Sequence, residues 1–254
     1  MLDTLQSHLQ LPASSLAVAA IVVLVASMVR GFSGFGLSAL VMAGLALLIP
    51  PIGLIPVCFL LELVSSAIMF RGGLIHANRS LVQGLVIGTA IGMPIGLAAT
   101  HSLPPEISRI VALLLILTLA ALQLFNVSPA FLRTKKGLYL AGVCAGAVTG
   151  LASIGGMVVA LYALSINTSA REVRASVILY LFVSMAVSAF WLLSTGTLDT
   201  LAFKRGLFLA PLVVLGVLLG TWIFRPSLEP FYKRFCLFML MSLAGFGLIR
   251  LWVL

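Results

Sequence analysis

The sequence predicts an all-α polytopic membrane protein built from two inverted-topology repeats of five apolar segments. Each half carries a short broken or re-entrant helix pair, and there are eight to ten membrane segments in all. Three observations predict this. Hydrophobic residues make up 62% of the 254 residues and charged residues only 8%, against roughly 25% charged in a soluble domain. The apolar residues fall into ten runs separated by a few polar positions. The stretch RGFSGFGLSAL, Arg30 to Leu40, has an echo 119 residues later in TGLASIGGMVVAL, Thr149 to Leu161.

Composition also excludes several classes. The polar intervals are too short for a separate soluble module, so residues 1–254 are expected to form one integral membrane domain, with repeat 1 at about 1–130 and repeat 2 at about 131–254. The formal net charge of +9 comes from basic residues scattered singly or in pairs at the ends of apolar runs. That is the pattern of membrane loops, not of a nucleic-acid-binding face. Cys58, Cys144 and Cys236 are isolated in apolar segments and read as small core residues. His8, His76 and His101 read as loop or tail residues without metal-ligand spacing, so neither a metal nor a cofactor is expected. The N-terminal run from Leu16 continues into RGFSGFG without a small-residue cleavage site and does not read as a signal peptide.

Taken in order, the segments are approximately 15–29, 35–49, 52–70, 81–99, 107–125, 137–150, 154–166, 173–194, 206–224 and 232–252. A full crossing needs about 20 residues. The first, second, sixth and seventh segments are short by that measure, and they flank the two glycine stretches. Short, glycine-interrupted pairs in corresponding places of two halves point to a transporter binding site. Gly31 aligns with Gly150, Gly34 with Ser153 and Gly36 with Gly155; farther on, Ser65 pairs with Ser188, Gly92 with Gly216 and Gly96 with Gly220. The fourth segment carries Gly84, Gly88, Gly92 and Gly96, and the sixth Gly142, Gly146 and Gly150. Their i+4 spacing makes flat stripes suited to close helix contact.

Five segments per half is an odd number, so the halves are expected to be inverted. With the N-terminus outside, eleven Lys and Arg fall in cytoplasmic loops (Arg30, Arg71, Arg79, Arg133, Lys135, Lys136, Arg171, Arg174, Arg225, Lys233 and Arg234) and four outside (Arg109, Lys204, Arg205 and Arg250). This bias follows the positive-inside rule. Re-entrant hairpins in place of the short pairs would move Arg30 into the membrane interior and leave the bias intact, so charge does not separate these two arrangements.

The glycine stretches are the first candidates for chemistry. Non-helical backbone at membrane depth is tolerated where protein or a wet cavity surrounds it, and glycine lets it turn with positive φ. Helices restarting after Gly36 and Gly156 would present free N–H groups and a positive dipole end to a small anion. The competing reading is that these glycines only permit tight helix crossing. Arg30, beside GFSGFG, either supplies charge to such a site or snorkels to the interface. Glu62 is the only acid near the middle of an apolar segment, with Glu106, Glu172 and Asp199 all reading as loop residues. Burial disfavours a charged carboxylate unless a cation is near, which makes Glu62 a candidate proton carrier. The alternatives are a static ion pair with Arg30 or Arg71, or a protonated acid bonded to a neighbouring helix. Ser65, Ser66, Thr149, Tyr180 and Ser184 are polar groups inside spans, a type usually bonded to its own helix.

The chain resembles the TauE/SafE family of membrane anion exporters, through RGFSGFGLSAL (30–40), GLASIGGMVVALYAL (150–164) and NTSAREVRASVILYLFVS (167–184), with a layout that extends over nearly the whole chain. It departs from the family's pattern in having no proline over Ala160 to Leu164, and in placing Glu62 where a neutral polar residue is expected. The resemblance implies export of sulfite or an organosulfonate driven by an ion gradient, in the inner membrane of a bacterium, without enzymatic activity.

The expected substrate-binding residues are therefore Arg30, Gly31, Ser33, Gly34, Gly36, Thr149, Gly150, Ser153, Gly155 and Gly156, with Glu62 coupling flux to protons. The expected partners are a small anion, protons and the lipid bilayer, with no nucleic acid and with room for a homodimer. A passive anion channel on the same scaffold is the alternative. An embedded enzyme lacks paired carboxylates, a Ser–His couple or a metal cluster at membrane depth. A purely structural subunit would leave Glu62 and the duplicated motif without a role.

Overall fold

The computed structural model describes residues 9–127, 130–166, 169–223 and 229–253; His8 and Arg225 lie outside them. Each apolar run becomes one helix: α1 Ala13–Ser33, α2 Leu37–Leu45, α3 Pro51–His76, α4 Arg79–Ser102, α5 Pro105–Leu124, α6 Lys135–Ala152, α7 Gly155–Ser165, α8 Ala170–Ser194, α9 Thr200–Ile223 and α10 Glu229–Val253. Seven of these, α1, α3, α4, α5, α8, α9 and α10, are long and apolar enough to cross a membrane, and the chain is a multi-pass membrane protein. The other three are α2, α6 and α7.

Local chemistry sets the helix starts. Pro51 and Pro105 open α3 and α5, where a missing N–H costs nothing. Asn78, Thr134 and Ser169 cap α4, α6 and α8 by accepting from the amides of Leu81, Gly137 and Glu172 at 3.2, 3.0 and 3.2 Å. Asp199 does the same for α9 through Ala202 N at 2.7 Å. Three acids and a histidine expected in loops thus serve helix ends: Glu106 and Glu172 lie in first turns, Asp199 is a cap, and His101 sits in the last turn of α4 with Nε2 3.0 Å from Thr197 Oγ1. His76 likewise ends α3.

The first segment is not short. α1 has 21 residues and runs through Arg30, Gly31 and Phe32 to Ser33, so the chain breaks only at Gly34–Gly36. The reason is tertiary. Gly31 belongs to the packed face of α1, where an added Cβ would stand 2.5 Å from Val217 O of α9. α2 and α7, with 9 and 11 residues, rise about 14 and 17 Å at 1.5 Å per residue, roughly half the hydrocarbon core.

Two close helix pairs frame these breaks. α1 packs along α9, and α4 along α6. On α4 and α6 the glycine stripes meet backbone to backbone: a Cβ on Gly88 would lie 2.7 Å from Val143 N, and one on Gly142 2.5 Å from Leu85 O. On α1 and α9, a Cβ on Gly216 would lie 2.7 Å from Leu24 O. Thr100 donates to Gly150 O at 2.9 Å in one pair, and Thr221 to Gly31 O at 3.4 Å in the other. α3 packs on α8, and α5 on α10. Cys58 and Cys236 are buried in this core, but Cys144 is exposed on the outer side of α6, unlike the core position expected for it.

Candidate functional site

Both interrupted helices begin at one cavity. It is lined by Gly36, Ser38 and Ala39 at the start of α2 and by Gly155, Gly156 and Met157 at the start of α7, with Ser153 and Ile154 from the second break. α3 contributes Ile55, Phe59 and Glu62; α4 adds Thr89 and Met93, α6 adds Thr149, and α8 closes the wall with residues that include Tyr180, Ser184 and Ser188. The space open to the centre of a water molecule is about 40 Å³, room for about three waters. The first amides of a helix have no intrahelical carbonyl to bond. Two such ends, with hydroxyls from four helices, therefore face one small cavity.

The turns that aim these helices depend on backbone of unusual hand. Gly34 ends α1 with φ 82°, and Gly36 opens α2 with φ 95°. Ser153 ends α6 with φ 58°. Gly155 has a steric reason to be glycine, since an added Cβ would press on Thr149 Oγ1 and stand 3.2 Å from Ala145 C. Ser33 Oγ donates to Phe35 O (2.6 Å) or Val29 O (2.7 Å) and tightens the first turn. At the far end of α2, Arg109 Nε donates to Ala46 O at 2.9 Å, placing a cation where the helix dipole favours one.

Arg30 and Glu62 meet beside the cavity. Arg30 is fully buried, and its Nη2 lies 3.3 Å from Glu62 Oε2. The guanidinium also donates to Ser66 Oγ at 3.0 Å, to Ser65 Oγ at 3.4 Å and to the Gly34 carbonyl. It therefore ties the end of α1 to the middle of α3. Glu62 Oε1 accepts from Ser38 Oγ at 2.9 Å and from Ser38 N at 3.3 Å. The carboxylate sits on the N-terminus of α2, where a negative charge is favoured.

The cavity wall thus brings together Gly36, Glu62, Thr149, Ser153, Gly155 and Gly156 among the residues singled out in the sequence. Arg30, Gly31, Ser33, Gly34 and Gly150 stand behind it. Arg30 reaches the wall only through Glu62. Gly31 and Gly150 lie inside helices at close crossings, the latter with a prospective Cβ 2.5 Å from Met93 O. Thr149 and Ser184, though on the wall, bond their own helices at Ala145 O (2.7 Å) and Leu181 O (3.0 Å). Ser38 and Thr89 are wall residues that sequence reasoning missed. Ser38 had a signal, being a hydroxyl in the first turn after Gly36. Thr89 had little beyond being polar in an apolar run; it pairs with Tyr180 at 2.9 Å. Among the described residues no cluster of three or more His, Cys, Asp or Glu could hold a metal.

A family model described as Sulfite exporter TauE/SafE matches residues 19–247, which include both breaks and every residue of the cavity wall. Neither a curated protein nor a solved structure matches the chain.

Proposed function

Because the chain belongs to the TauE/SafE family of sulfite exporters, we propose that it is a secondary transporter that exports a small oxyanion, sulfite or an organosulfonate, by alternating access coupled to a proton gradient. The observation that carries this reading is the cavity into which the first turns of α2 and α7 both open. Amide ends and hydroxyls suit the oxygens of the anion, and Ile55, Phe59, Met93 and Leu192 suit a short organic tail. Gly36, Thr149, Ser153, Gly155 and Gly156 form the binding wall; Gly31, Ser33, Gly34 and Gly150 hold its shape, and Arg30 supplies the balancing charge. Glu62 carries the proton.

Alternating access is proposed to come from two inverted repeats, about 1–130 and 131–254, rocking about the cavity. Supporting this, trading the first five helices for the last five exchanges the α1–α9 pair with the α4–α6 pair, and leaves α3–α8 and α5–α10 as they are. The protein is assigned to the inner membrane of a bacterium.

Proteoliposomes holding the full chain test the reading. Saturable flux of labelled sulfite or organosulfonate that responds to an imposed pH gradient is expected. Conductance that does not saturate would favour the passive channel, and the absence of any anion movement would contradict both.

A further inference from the structure

We propose that the Glu62 carboxylate is a tethered competitor of the transported oxyanion. The two take turns on the same donors at the start of α2, and a proton on Glu62 hands the donors over. The inference rests on the cavity being the transport site and explains how protons and anion are coupled there.

The donors already hold an oxyanion, the chain's own. Arg30 Nη2, Ser38 N and Ser38 Oγ point at the two oxygens of Glu62, and the Ser65 hydroxyl, which donates to the Glu62 backbone carbonyl at 3.0 Å, stands 3.4 Å from Oε2. They do not hold it tightly. Two of the three donor distances are 3.3 Å, and only Ser38 Oγ, at 2.9 Å, is of ordinary length. Charge-assisted bonds in a static pair are about 2.7–2.9 Å. The partners also differ in freedom. Both are buried, Arg30 at 0% and Glu62 at 5% exposed, but Arg30 is anchored to Ser66 Oγ and the Gly34 carbonyl, whereas Glu62 lines the cavity. The acid is the partner placed to leave.

Charge decides when it leaves. With Glu62 ionised, the pair is neutral, and a monoanion entering would put an uncompensated charge in a poorly solvated site. With Glu62 protonated, Arg30 and the monoanion form the neutral pair instead. Each monoanion bound therefore brings one proton, and the two cross together without net charge, so export runs down the anion's own outward gradient and an inward proton gradient opposes it. The second break has no counterpart. Thr149 stands where the repeat alignment places the partner of Arg30, and Met185, three residues before Ser188, where it places that of Glu62. The exchange is confined to the first half, which fixes the count at one.

Among the described residues, the titratable groups facing Glu62 are few. They are Arg30 on α1, Cys58 on α3, whose Sγ lies 4.0 Å from Ser38 O, and Tyr180 of α8 on the cavity wall. α2, α4 and α6 bring only the hydroxyls of Ser38, Thr89 and Thr149 to the wall; behind it, the Cys236 thiol of α10 would stand 3.6 Å from a Cβ on Gly36.

Methanesulfonate, whose charge is constant over the working range, is the probe. Its binding to the purified full-length protein is measured by titration calorimetry in buffers of different ionisation heat. The expected result at about pH 7.5 is uptake of about one proton per anion, with affinity rising about tenfold for each unit of pH lowered. Glu62→Gln should bind at least about tenfold tighter at that pH, a gain of about 1.4 kcal/mol, with no proton uptake. Binding to the wild type without proton uptake, or a Glu62→Gln protein that binds no tighter, would overturn the exchange and leave transport standing. No binding of methanesulfonate or sulfite by either protein would overturn both. If Glu62→Gln does not fold, the wild-type proton count alone decides.

Discussion

Gly34 and Ser153 stand 119 residues apart and hold the same left-handed backbone, φ 82° and 58°, each as the residue that ends a helix before a half-length one begins. A side chain at such a φ costs about 1–2 kcal/mol, so the two positions respond oppositely to substitution. Gly34→Ala should lower stability by about 1–2 kcal/mol, and its Cβ would also sit 3.1 Å from Arg174 Cγ. Ser153→Gly should leave the melting temperature unchanged or raise it. Thermal unfolding in detergent measures both.

The buried ion pair makes a sharper contrast. Arg30→Met leaves Glu62 without its cation, and breaking a buried pair in this way costs about 3–5 kcal/mol. Replacing both partners removes the unpaired charge. The double variant Arg30→Met/Glu62→Leu should therefore recover most of the stability lost by Arg30→Met, yet transport no anion. Unfolding temperature and flux, read on the same preparations, test the two halves of this expectation.

Close packing and mere glycine content are also separable. Gly142→Val directs its branched side chain at the backbone of α4 around Leu85 O and Gly88 Cα, forcing α4 and α6 apart, and should yield little folded protein. Gly245 in α10 has nothing within 4 Å of a prospective Cβ. Gly245→Ala should be neutral or stabilise by up to about 1 kcal/mol through helix propensity. Yield of monodisperse protein on size exclusion compares them.

These cases mark how far the sequence could be read. Apolar runs bounded by Pro51, Asn78, Pro105, Thr134 and Ser169 become helices because a span must be apolar throughout and its start must satisfy free amides. The first break was legible from Gly34 and Gly36; the second lies at Ser153 and Ile154, and α7 starts at Gly155 rather than after Gly156. The end of α1 was not, because Gly31 resembles a break residue until α9 is seen against it. Nor could sequence distance reveal that Glu62 would sit on Ser38 N, 24 residues away on another helix. The exposed Cys144 has the same origin: in a membrane protein the outer face is as apolar as the core, so hydrophobic surroundings do not tell inside from outside.

The most direct measurement is uptake of labelled organosulfonate into proteoliposomes by Gly156→Ala. Its Cβ would meet only the side chain of Leu181, at 3.3 Å or more, so the helix should fold normally. That Cβ lies on the wall of a cavity of about 40 Å³ at the first turn of α7. With an unchanged melting temperature, flux reduced at least about tenfold, equivalent to about 1.4 kcal/mol, is the expected result. Wild-type flux with wild-type KM would place the anion's path elsewhere and contradict a shared pocket at the two interrupted helices.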